Sequence, residues 1–374
     1  MTSGSRLIIV GAMVMAAASA SSAQQASLPR SPMAEDVFKN VQVLKGIPVN
    51  QFMETMGFFS ASLGADCTFC HVAESGGSWE KYADDIQRKR TARGMVTMVA
   101  AINKGNFGGR QVVTCYTCHR GGNRPKVTPS LAALYGAAPP EEEDFVPAPA
   151  GAPTVDAILD KYIRAVGSPA RLSAVTSVAS RGTYQGYDDP QKRQVEIFAA
   201  TPARRAMIVH VPDGDSRTIY DGRSGWLAAP LTQRPLPVVA LAGGDLDAAR
   251  LEAQLSFPAG IKQYFAQWRA GSSATIQDRD VDVVQGSTPG RAPATFFFDK
   301  ESGLLTRLVR YVDSPVGRIP MQTDYADYRQ VSGIKLPFRI SATWLDGRST
   351  IELSDVKINV PILASTFSKP AAQK

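Results

Sequence analysis

Four cysteines occur in 374 residues, and all four sit in two copies of one pattern, Cys67-Thr68-Phe69-Cys70-His71 and Cys115-Tyr116-Thr117-Cys118-His119. Two of the three histidines close these units. On a helical turn, residues i, i+3 and i+4 share one face. Both thiols of a unit can then reach the two vinyl groups of one porphyrin, and the following histidine can reach its iron. C-x-x-C-H is accordingly the attachment pattern of a c-type haem. Two other chemistries use paired cysteines. Four thiolates suit a zinc ion, and two dithiols suit redox-active disulfides in an oxidising compartment. Neither calls for a histidine directly after each pair. The pattern points to two covalently attached haem c groups, with Cys67, Cys70, Cys115 and Cys118 as anchors and His71 and His119 as proximal iron ligands.

The distal side of each iron needs another donor. The third histidine, His210, lies in the strand-like run Met207-Ile208-Val209-His210-Val211 and reads as a residue facing sheet or solvent. Methionines are better placed. Met53 and Met56 precede the first unit, and Met95 and Met98 precede the second. A methionine on a helix is ordinarily core packing, but here each unit follows a methionine-bearing segment. His/Met ligation raises the reduction potential and suits electron transfer rather than oxygen chemistry. The expectation is an electron carrier and not an enzyme, although an iron left open on one side would permit haem enzymology.

Helices must position these groups. Residues 35–45 predict a short helix or extended segment, stopped by Gly46 and Pro48. Residues 49–63 predict a helix with Met56, Phe59 and Leu63 on one stripe, broken by Gly64. A second helix is predicted from about 80 to 103, its late stripe made by Met95, Met98, Val99 and Ile102. Helix, haem motif, helix, haem motif is a weak internal repeat. Arg88, Lys89, Arg90 and Arg93 follow Asp84 and Asp85 at helical spacing and read as a solvated, salt-bridged face.

Composition sets the wider frame. Hydrophobic content of 44% supports ordinary buried cores, and the formal charge of +7 would be partly offset by haem propionates. No dense basic tract with interleaved aromatics is present, which speaks against nucleic acid as a partner. Arg6, the apolar run at 7–18 and Ser21-Ser22-Ala23 form a signal peptide pattern, with cleavage expected after Ala23. The run is short for a membrane span, so an exported, soluble or peripheral, periplasmic protein is expected. Residues 24–124 form the first expected domain. Residues 125–153 hold seven prolines and the acidic run at 141–144, and read as an extended linker.

The second expected domain spans 154–370. Thr154 is an N-cap for a helix ending near Gly167. The hydrophobic period then changes to two. Strand-like runs lie at 178–187, 194–200, 205–211, 274–284, 294–298, 304–312, 322–328, 338–345 and 349–356, with a tight hairpin at Asp346-Gly347 and a more helical stretch at 245–268. Many antiparallel strands with few helices imply a curved sheet or partial barrel wrapped on helices.

Two resemblances sharpen this reading. The run from Met56 to His71, residues 91–103 and the second motif with Gly121 resemble the multihaem cytochrome c subunit of photosynthetic reaction centres, in its last two haem units. The resemblance implies that Met56 is the distal ligand of the first haem. In the four-haem family the last haem can take a distal histidine from the half missing here. No equivalent exists in this chain, so Met95 or Met98 is the candidate for the second haem. The resemblance also implies redox donor and acceptor proteins as partners, and a membrane complex. Separately, Asp221-Gly222-Arg223-Ser224-Gly225-Trp226, residues 298–304 and Gly333-Ile334-Lys335-Leu336-Pro337 resemble the exported half-barrel of LolA-type lipoprotein carriers. That fold implies a concave face able to hold an apolar ligand, a lipid or a quinone. The expected architecture is two domains, a mainly α dihaem cytochrome c followed by an α+β antiparallel half-barrel.

Overall fold

The computed structural model describes residues 29–129, 145–186, 190–231 and 234–372. The signal segment expected at 1–23 and the acidic run at 141–144 lie outside the described residues. Helices α1 (Ala34–Val37), α2 (Val49–Leu63), α3 (Gln87–Phe107) and α4 (Cys115–His119) make the first part of the chain. Short 3-10 turns at Cys67–Phe69, Ala73–Gly77 and Trp79–Ala83 join α2 to α3.

Helix α2 spans the predicted residues. It ends at Gly64, which adopts the left-handed conformation (φ 59°) that favours glycine. A Cβ there would lie 2.3 Å from the carbonyl oxygen of Gly121, and the Gly121 N–H donates to Ser62 O at 3.0 Å. The segment before the first motif is thus locked against the end of the second. Helix α3 departs from expectation, beginning at Gln87 rather than near 80. The Lys89 ammonium reaches back to Tyr82 O (2.7 Å) and Ala83 O (3.0 Å), occupying carbonyls that a continuous helix would use. Of residues 35–45 only the end of α1 is helical. Beyond it the Glu35 carboxylate accepts the Gly46 N–H.

The second part opens with α5 (Val155–Val166), capped by Thr154, whose hydroxyl accepts the Ala157 N–H at 3.2 Å, and with α6 (Pro169–Ser173). Strands β1 (Ser177–Gln185), β2 (Arg193–Ala200), β3 (Arg204–Val211), β4 (Gly214–Tyr220), β5 (Gly225–Ala228) and β6 (Val238–Ala240) run outward as a meander. Helix α7 (Gly243–Leu255) and a 3-10 turn then carry the chain across to the opposite edge. From there β7 (Gln267–Ile276), β8 (Arg279–Ser287), β9 (Ala294–Asp299), β10 (Leu305–Ser314), β11 (Gly317–Val331), β12 (Ile334–Trp344) and β13 (Gly347–Ile358) return to the middle. The 13-stranded antiparallel sheet has the order β6-β5-β4-β3-β2-β1-β13-β12-β11-β10-β9-β8-β7. It is unclosed, with β6 and β7 at its edges. Helix α7 touches β3, β4 and β10, although five strands separate β3 from β10, so the sheet curves around it. This is the half-barrel of the sequence reading.

Three differences have local causes. The run at 274–284 is two strands, because Gln277 and Asp278 turn the chain with positive φ (50° and 61°) and no glycine marks the turn. Strands β5 and β6 escape the pattern because they are short, and β4 because its residues before Ile219 are polar and do not alternate. Residues 145–148, at the end of the Pro-rich stretch, dock on edge strand β7: Ala148 N–H donates to Ala270 O, and Arg269 lies over the Phe145 ring. The concave face, where an apolar ligand would lie, is packed by α5 and α7. Leu159, Tyr162, Leu251, Phe296 and Phe298 are buried there in one core.

The two parts share a second core. Phe58 of α2 is buried among Val312, Val316 and Ile319 of β10, its turn and β11. A Cβ on Gly317 would lie 2.5 Å from the Phe58 ring. Gln51 donates to Asp313 O at 2.5 Å, and Gln111 to Ser314 O at 2.7 Å. A buried phenylalanine truncated to alanine costs about 3–5 kcal/mol. Phe58→Ala is therefore expected to lower the denaturation midpoint by a loss in that range and to increase protease cleavage between the two parts, measured by urea unfolding and limited proteolysis.

Candidate functional site

Each motif is started by a capping side chain. Before the first, Asp66 accepts the Phe69 N–H (3.0 Å) and the Thr68 hydroxyl (2.8 Å). The chain then makes a 3-10 turn, and the His71 N–H donates to Cys67 O at 3.0 Å. Before the second, Thr114 and Thr117 form a reciprocal capping box on α4. Asn103, buried near the end of α3, clamps the approach to that cap. Its amide donates to Val113 O (2.7 Å), and its carbonyl accepts the N–H groups of Val112 and Val113.

The histidines are oriented alike. His71 Nδ1 lies 3.2 Å from Tyr82 O, and His119 Nδ1 lies 3.0 Å from Gly122 O. A carbonyl oxygen only accepts, so each Nδ1 carries the proton. Nε2 is then the ring atom left to ligate a metal, the arrangement typical of a metal-ligating imidazole. Burial, with the Lys89 charge added to it, holds the His71 pKa below its ordinary value and keeps that ring neutral. The Tyr82 ring meets the His71 ring edge-on, with centroids 4.9 Å apart, and stacks on Trp79.

All four cysteines and both histidines are brought to one cavity of about 690 Å³, within the roughly 300–1,000 Å³ typical of ligand pockets. Cys67, Cys70, Cys115, Cys118, His71 and His119 line it. So do Met53 and Met56 of α2, and Met95 and Met98 of α3. Met95 and Met98 are 40% and 44% exposed: they face the cavity instead of packing in a core. His210, by contrast, sits on β3 with Nδ1 2.8 Å from Asp215 and takes no part.

These residues fit a haem better than the rival groups. Among the described residues, no three His, Cys, Asp or Glu side chains cluster around a single metal position. The four thiols are free, and burial pushes those of Cys70 and Cys115 up, opposite to the lowered pKa of reactive dithiols. Two imidazoles whose Nδ1 atoms are held by backbone carbonyls, thiols in pairs and methionines lining the same cavity form a donor set that fits haem c.

The basic cluster on α3 is salt-bridged as read, with Arg88 and Arg90 exposed, but two of its side chains are not solvated. The Lys89 and Arg93 side chains are only 13% and 14% exposed, both paired to Asp85 (3.5 and 2.9 Å), and Arg88 lies over the Phe69 ring. All three basic residues line the cavity. Sequence reasoning passed over Trp79, Tyr82 and Asn103. The aromatic pair at i, i+3 just after the first motif was a signal; for Asn103 there was none.

Glu54, between Met53 and Met56, is a further buried group. Its carboxyl group meets that of Asp245 on α7. Burial, and then Asp245 of α7, push its pKa up to about 9. The folded chain keeps this proton up to about pH 9, whereas the unfolded chain loses it near 4.5. Folding stability therefore falls as pH rises through that window. Glu54→Gln is expected to be more stable than the parent at pH 8 and close to it at pH 4.5, measured by denaturant unfolding at both values.

A DUF1329 family protein from Desulfovibrio piger aligns with 57% of this chain and 97% of its own, at TM-score 0.41 and 11% identity. A LolA superfamily protein from Nitrosomonas europaea aligns with 58% of this chain and 99% of its own, at TM-score 0.38 and 16% identity. The photosynthetic reaction center cytochrome c subunit of Thermochromatium tepidum is 41% identical over 100 residues, 25% of this chain and 23% of that protein. Its counterpart from Roseobacter denitrificans is 32% identical over 117 residues, 28% of this chain and 31% of that protein. The chain thus spans about a quarter to a third of the length of these relatives. Residues 9–133 match the family model of the photosynthetic reaction centre cytochrome C subunit, and this segment contains both motifs.

Proposed function

We propose that this chain is an exported electron carrier that holds two covalent haem c groups and passes electrons between periplasmic redox proteins or a membrane complex. The observation that carries the reading is the paired geometry of the histidines. In both motifs a backbone carbonyl holds Nδ1–H, and both histidines line a cavity shared with all four cysteines. Similarity of the first part to reaction-centre cytochrome c subunits supports haem-based electron transfer. A haem bound there would supply reversible one-electron chemistry at its iron.

The residues of this chain divide that task. Cys67 and Cys70 anchor the first haem, and Cys115 and Cys118 the second. His71 and His119 are the proximal ligands. Met56, on the cavity face of α2, is the distal ligand of the first haem, and either Met95 or Met98 serves the second. Thioether sulfur on the distal side raises the potential and closes the iron to exogenous ligands, which favours a carrier over an enzyme. The apolar side chains around a haem and the charges near it tune its potential further.

Mass spectrometry and an in-gel haem stain of the exported protein test the count: two haems are expected, and one after Cys115→Ala/Cys118→Ala. Met56→Ala is expected to abolish the sulfur–iron charge-transfer absorption of one haem and to lower its midpoint potential, with the other haem unchanged. Met95→Ala and Met98→Ala, measured in the same way, are expected to affect the second haem in one case only. Wild-type absorption in Met56→Ala would remove that residue from the ligand set.

A further inference from the structure

The β12–β13 hairpin of the second part reaches the cavity of the first. Its two-residue loop is Leu345-Asp346, since Trp344 pairs with Gly347. Leu345 packs into the core around Phe58, and Asp346 lines the cavity. The Asp346 carboxylate is seated on Gly57: a Cβ at that glycine would lie 2.8 Å from Oδ2 and 2.9 Å from Oδ1. Gly57 is in mid-α2, directly after Met56 and one turn from Met53. On a helix, 53, 56, 57 and 60 share a face, and all four line the cavity.

A glycine in a helix interior is destabilising relative to alanine, so its presence calls for a reason. The carboxylate supplies one. Any side chain at 57 would displace Asp346 from the wall beside Met56. The loop is itself held, since Asp346 accepts a hydrogen bond from the Trp344 side chain. Gly347 gives that indole room, a Cβ there lying 2.6 Å from the ring. Burial raises the Asp346 pKa above its ordinary value, so a test of its charge belongs at pH 8.

We propose that Asp346 is a positioning residue of the first haem site: the second part of the chain places this carboxylate on the cavity wall beside Met56, where its negative charge favours the oxidised iron and its contact with Gly57 fixes the Met56 face of α2. This rests on the dihaem reading above. It gives the half-barrel a part in setting potential that the motifs alone do not reveal.

The test uses the full-length, haem-loaded protein in a potentiometric titration at pH 8. Asp346→Asn keeps the shape and the hydrogen-bond acceptor for Trp344 but removes the charge. One of the two midpoints is expected to rise, changing the ratio of oxidised to reduced haem about tenfold at fixed potential, or about 59 mV for one electron. The shift should persist when Cys115→Ala/Cys118→Ala leaves only the first haem. Gly57→Ala should weaken the sulfur–iron absorption of the same haem, although alanine is the better helix former. Unchanged midpoints in Asp346→Asn with both haems attached, or a shift confined to the haem at Cys115 and Cys118, would overturn the proposal. A wild-type protein without covalent haem would overturn the dihaem reading beneath it, a result the stain separates from the other two.

Discussion

Helix α2 is held by contacts too close for an ordinary side chain. At its end Gly64 meets the backbone of Gly121, and on another face the Phe58 ring lies against Gly317. The first contact joins the two motifs into a single cavity. The second ties that cavity to the sheet. Interiors are close-packed and tolerate little added volume, so these two glycine contacts fix three things together: the entry to the first motif, the exit from the second and the seat of the β10–β11 hairpin. The methionines of α2 take their direction from the same restraint.

The charges around the cavity follow from burial and not from number. The overall excess of +7 says little about where cations lie. Lys89 and Arg93 fold inward against Asp85, and Lys89 caps the carbonyls before α3. Their positive ends sit behind the His71 ring and reinforce its neutral form. An exposed salt-bridged face would contribute little; a half-buried clasp orders the turn that carries the Tyr82 carbonyl.

Legibility in the sequence followed the range of the interactions. The motifs were readable because a C-x-x-C-H unit fixes residue types and spacing within five positions. Helix α2 was readable because Gly64 marks its end and apolar residues recur along it. Most strands were readable from alternation. The β7–β8 turn at Gln277-Asp278 was not, because two non-glycine residues adopt left-handed geometry there. Asn103, Glu54 and Asp346 were not readable either. Each acts through a partner that only folding brings near: a loop ten residues on, a helix from the second part, and a glycine nearly 300 residues earlier. Met95 and Met98 were legible as ligand candidates because they precede the second motif, and the structure places both on the cavity wall.

The order of the sheet has a consequence for synthesis. Strand β13, the last to be made, pairs with both β1 and β12, and so lies between the two halves of the sheet and not at an edge. While the chain is emerging, β1–β6 and β7–β12 can exist only as two separate meanders, each with an open side. The C-terminal strand is the seam that joins them, across a pairing such as Val178 with Ile358. Long-range pairing of this kind is slow. The cysteine motifs, near the other end, emerge well before the seam closes. Any attachment chemistry that needs an unfolded segment therefore has the interval before the seam closes in which to act.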